Sequence, residues 1–163
     1  MPFSTRVFCR ESTAPTLTEL LAWQRQHGTP VMLDGGRSAG DLLSPFWTEA
    51  RVSYDPDEAP FVLRCHHAGD RGVGAARLRE EVADFLADLG ELPEDPARAR
   101  VMAQLAATRF LLVVEFPAGG VGPRGYETNG WLMSLFVDRA GGMVQCDGIG
   151  FYDEHDEIIL RLG

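Results

Sequence analysis

Apolar and polar positions change period several times along the chain, and each change marks an expected element. Residues 5–10 (TRVFCR) read as a strand, and residues 13–28 carry Leu17, Leu20, Leu21 and Trp23 at helical spacing. Thr16 and Glu19 have the spacing of a capping box, in which each side chain satisfies a backbone N–H that the first turn leaves unpaired; Gly28 and Pro30 supply the stop. VMLD (31–34), ARVSYD (50–55) and FVLRCHH (61–67) are short, β-rich and bounded by Gly, Pro or Asp, so they read as strands. In 75–90, Leu78, Val82, Phe85, Leu86 and Leu89 fall on one helical stripe, with Gly90 where a left-handed cap belongs. Asp95 and Pro96 open a third helix, 96–107, whose Val101, Met102 and Leu105 face inward. FLLVVEF (110–116) is apolar on both faces apart from Glu115, which predicts a strand in the middle of a covered sheet. A fourth helix, 131–140, ends at Gly141-Gly142, and 143–147 and 157–162 are closing strands.

Strand, helix, strand, strand thus occurs in both halves. Runs of strands between single helices argue for an α+β fold: a mostly antiparallel mixed sheet with about four helices on one face. The β-α-β-β order recurs as a weak pseudo-repeat over 5–67 and 110–162, and the missing linker makes 1–163 one domain. At the level of fold this tandem order is similar to small-molecule-sensing domains of the GyrI-like kind, which implies a cleft where the two units meet.

Composition narrows the function classes. The chain has 163 residues and a net charge of −9, and all 15 of its basic residues are arginine. Without lysine there is no Schiff base, Walker lysine or Ser-Lys dyad. Abundant Ala, Gly, Arg and Asp beside a single Asn suggest a GC-rich bacterial coding sequence. No apolar run is long enough for a membrane span and the N-terminus lacks an export signal, so a cytoplasmic location is expected, with no membrane partner. Scattered arginines in an acidic chain argue against nucleic acid.

Candidate chemistry is sparse. Cys9, Cys65 and Cys146 are too few for a disulfide framework and lack metal-ligand spacing, so three free thiols, no metal and no cofactor are expected. Cys65 and His66 are adjacent and project to opposite faces of a strand; with no nucleophile elbow anywhere, no catalytic residue is assigned and the reading leans away from an enzyme. The Gly-rich segment 65–77 fits neither nucleotide-binding template and reads as a turn. Glu115, with Tyr126, Asn129 and Trp131 from the glycine-rich stretch 117–130 and the start of the fourth helix, forms the candidate small-molecule cleft, because long loops beside strands commonly carry ligands.

Charge placement is the strongest signal. Residues 1–52 balance acids against arginines, so the excess negative charge lies in the remainder. Glu80, Asp84 and Asp88 recur every four residues on the outward face of a helix, followed by Glu91, Glu94 and Asp95, and a second cluster is Asp153, Glu154, Asp156 and Glu157. Like charges at that spacing cost a few tenths of a kcal/mol each, and Asp88 opposes the helix dipole. The leading expectation is a non-enzymatic protein whose acidic surface binds a basic protein partner, as an inhibitor, immunity-type or regulatory protein would; a small-molecule-binding module is the alternative.

Overall fold

The computed structural model describes residues 3–163. Its strands are β1 (Ser4–Cys9), β2 (Met32–Leu33), β3 (Glu49–Ser53), β4 (Phe61–His67), β5 (Phe110–Glu115), β6 (Gly142–Cys146), β7 (Gly150–Tyr152) and β8 (Ile158–Arg161). Its helices are α1 (Leu17–Gln26), α2 (Ala39–Leu43), α3 (Val73–Gly90), α4 (Pro96–Ala106) and α5 (Pro123–Ala140). The fold is α+β: one eight-stranded sheet of order β2-β3-β4-β5-β1-β6-β7-β8, antiparallel at every pairing. No helix is long and apolar enough to cross a membrane, among the described residues.

The expected capping box at Thr16 and Glu19 is present in both directions and starts α1. The run 110–116 becomes β5, buried between β4 and β1.

Helices cover both faces of the sheet, not one. Phe110, Leu112 and Val114 of β5 pack with Leu17 and Leu20 of α1 and Leu132, Leu135 and Phe136 of α5. Leu111 and Val113 point the other way, into a second core with Leu78 and Leu89 of α3 and Val101 and Leu105 of α4. A strand apolar on both sides exposes greasy surface unless each side is covered, and the helical pair between β4 and β5 supplies the second cover. The two halves repeat the element order, but the first meander joins the centre through its last strand, β4, and the second through its first, β6. No simple two-fold therefore relates them.

Three local features differ from expectation. The stretch 117–130 is not all loop: α5 starts at Pro123, behind an N-cap Gly122, eight residues earlier than expected. Of its glycines, Gly125 is required by packing, since a Cβ there would come 2.6 Å from Val121 Cβ and 3.1 Å from Tyr54 Cζ. Gly90 is the last helical residue of α3 and Glu91 its cap, whereas Gly141 does close α5 in the left-handed region (φ 60°). Finally, α2 and β7 carried no sequence signal strong enough to be expected.

Candidate functional site

The acidic face of α3 forms as the helical period requires. Leu78 and Leu89 are buried against the sheet, and Glu80, Asp84 and Asp88 are exposed on the outer side, continued by exposed Glu91 and Glu94. Among the described residues the only ion pair on this stripe is Glu80 with Arg77, at 3.5 Å and open to solvent. Asp95 is exposed as well, and its Oδ1 accepts the Arg98 backbone N–H at 2.8 Å as the N-cap of α4. Glu81, one residue round the helix, turns inward and accepts from Arg6 Nε at 2.8 Å.

Arg6 is the tie between α3 and the sheet. Its Nη1 donates to Asp147 at 2.6 Å and to Gln145 at 3.0 Å, and its guanidinium lies 5.5 Å from the Phe85 ring centroid. This network holds the acidic helix at a fixed place on the second face.

The second acidic cluster sits in a groove of about 380 Å³ between α5 and the β7–β8 turn. Asp153, Glu154 and Asp156 line it from the turn, Glu127 and Trp131 from α5. Backbone N–H groups of Glu157 and His155 donate to Asp153 Oδ1 and hold its carboxyl below the usual range. Glu154 is likewise held low, by its own backbone N–H and then by Arg100, with which it pairs. Asp156 adopts φ 62°, a left-handed turn conformation that Asp tolerates better than most residues. The Trp131 ring is stacked on His27 at 4.0 Å, and Trp23 Nε1 donates to the Trp131 carbonyl at 2.9 Å. An aromatic wall fixed from behind and faced by carboxylates suits a guanidinium or ammonium group. Sequence reading reached the turn acids and Trp131 separately; Glu127 was missed, because nothing local distinguishes it from any helical glutamate.

The expected cleft of Glu115, Tyr126, Asn129 and Trp131 does not assemble. Alternation along β5 sends Glu115 to the α3/α4 side, where it pairs with Arg64, while the other three lie on α5 across the sheet. Tyr126 is exposed against Phe116. Asn129 is buried and donates to Thr5 Oγ1 at 3.3 Å, a packing contact.

The three cysteines are free and buried on the α1/α5 side. Burial pushes the Cys65 thiol well up; burial and then the neighbouring Cys65 do the same to Cys9, and Cys146 is raised to about 11, chiefly by burial. Cys146 pairs with Thr5 and Cys9 with Gly142, so these two sit at opposite ends of the β1–β6 ladder. Among the described residues no three metal-binding side chains converge. Compared with models of protein families, with curated proteins and with solved structures, the chain matches none.

Proposed function

We propose that the protein is a non-enzymatic binding module whose acidic surface engages a basic protein partner, as an inhibitor, immunity-type or regulatory protein does. One observation carries this reading. Glu80, Asp84, Asp88, Glu91 and Glu94 are all exposed, and among the described residues their only ion pair is the solvent-open one of Glu80 with Arg77. Folding alone gains nothing from such repulsion, whereas a basic partner relieves it, associates faster and is distinguished from acidic competitors. The groove at Trp131, on the α5 side of the sheet opposite α3, is a second acidic surface that would seat a cationic side chain on an aromatic face beside Glu127 and Asp156.

The test is affinity capture from the source cell followed by binding of the purified partner, with three baits. Wild type is compared with Glu80→Gln/Asp84→Asn/Asp88→Asn and with Glu127→Gln/Trp131→Ala. The expected result is a basic protein that wild type retains, whose affinity falls steeply with added salt and at least tenfold in the triple variant. Equal binding by wild type and the triple variant removes α3 as the binding face, and loss only in the second variant moves the interface to the groove.

A further inference from the structure

We propose that a cavity at the corner between β4 and α3, separate from both acidic surfaces, binds a small flat monocarboxylate that also carries an N–H or O–H donor. The cavity has a volume of about 580 Å³, within the range of small-molecule sites, and is lined by Ser12, Phe46, Thr48, His67, Asp70 and Arg109. It does not depend on the partner-binding reading.

His67 defines the polar requirement. It is 5% exposed, and its ring stands between Phe46 and Phe110, with centroids 5.7 and 5.6 Å away. Nε2 lies 3.1 Å from the Trp47 carbonyl. A carbonyl only accepts, so Nε2 carries the hydrogen, and in the neutral ring Nδ1 is then an acceptor. Nδ1 is buried with no partner. A buried acceptor left unpaired is costly, and a ligand N–H or O–H satisfies it. Nδ1 is closed to solvent, so the Phe46 ring, 58% exposed and edge-packed on His67 at the cavity wall, has to give way when a ligand donor reaches it.

Arg109 defines the anionic requirement. It is exposed at the start of β5, and among the described residues its guanidinium has no hydrogen-bond or ion-pair partner. A planar guanidinium suits a carboxylate through two parallel hydrogen bonds. Asp70 limits the charge: one of its oxygens takes the Gly72 N–H at 3.1 Å, and its carboxylate on the same lining disfavours a second anionic group.

Calorimetric titration with 3- and 4-hydroxybenzoate, benzoate and 4-hydroxybenzamide tests this. At least one hydroxybenzoate is expected to saturate one site, with benzoate, lacking the donor, and the benzamide, lacking the anion, each about tenfold weaker. Arg109→Gln, on an exposed side chain, is expected to abolish the preference for carboxylate over amide, and His67→Phe the preference for the hydroxyl. Should His67→Phe fail to fold, Arg109→Gln decides alone. No saturable binding of either hydroxybenzoate up to about 10 mM, or preferences unchanged in Arg109→Gln, overturns the proposal.

Discussion

Replacing Arg6 with methionine keeps an apolar stem of similar reach and removes the charge that joins α3 to the sheet. The cost follows from exposure. Arg6 is 15% exposed in its side chain, and its partners Glu81 and Asp147 are 30% and 37% exposed. Fully exposed pairs contribute about 0–1 kcal/mol, whereas removing one partner of a buried pair costs about 3–5 kcal/mol. This network lies between those limits, and the guanidinium contact with Phe85 adds about 0.5 kcal/mol, so Arg6→Met is expected to destabilise by about 2–3 kcal/mol. For a chain of this size that is a fall in Tm of about 4–10 °C. Urea unfolding of wild type, Arg6→Met, Glu81→Gln and the double variant gives the coupling directly, expected at about 1 kcal/mol and only partly reduced by 1 M salt. A destabilisation below about 0.5 kcal/mol, or additive single variants, refutes the claim that this network anchors α3.

Two further outcomes are expected. Burial holds the His66 imidazole below its ordinary value, Glu81 opposes this, and Arg77, Arg64 and His67 reinforce it; the unfolded chain therefore binds the proton more readily, and stability falls as pH drops below about 6.5. Unfolding midpoints between pH 7.5 and 5 measure this, with His66→Gln expected to flatten the profile; a flat wild-type profile contradicts it. All three thiols are protonated and enclosed, so a maleimide at pH 7.5 is expected to label none in the native protein and three after denaturation, and rapid native labelling of Cys9 or Cys65 contradicts their burial.

Much of the fold was legible because its signals are short-ranged. The capping box of α1, the apolar stripe of α3 and the Asp95-Pro96 start of α4 each involve groups within about four residues of one another, where backbone hydrogen bonding confines the choice. The central place of β5 followed from its composition, since a strand apolar on both sides has to be covered on both. Exposure of Glu80, Asp84 and Asp88 followed from the same helical period that buries Leu78 and Leu89.

Tertiary structure decided what depends on distant segments meeting. Alternation on β5 separates Glu115 from Phe116, but only strand order places Arg64 beside the former and α5 beside the latter. Gly125 resembles a loop residue until Tyr54, from another strand's end, is packed against it. Arg6 looks like any polar position on a strand; its partners lie 75 to 141 residues away. The cavity at His67 draws residues from four separated stretches, none with a motif of its own. Hydrogen-bond period and side-chain alternation act along the chain and are written in the sequence, whereas the faces that helices cover, and the groups thereby brought together, are fixed by burial of apolar surface shared among all the elements at once.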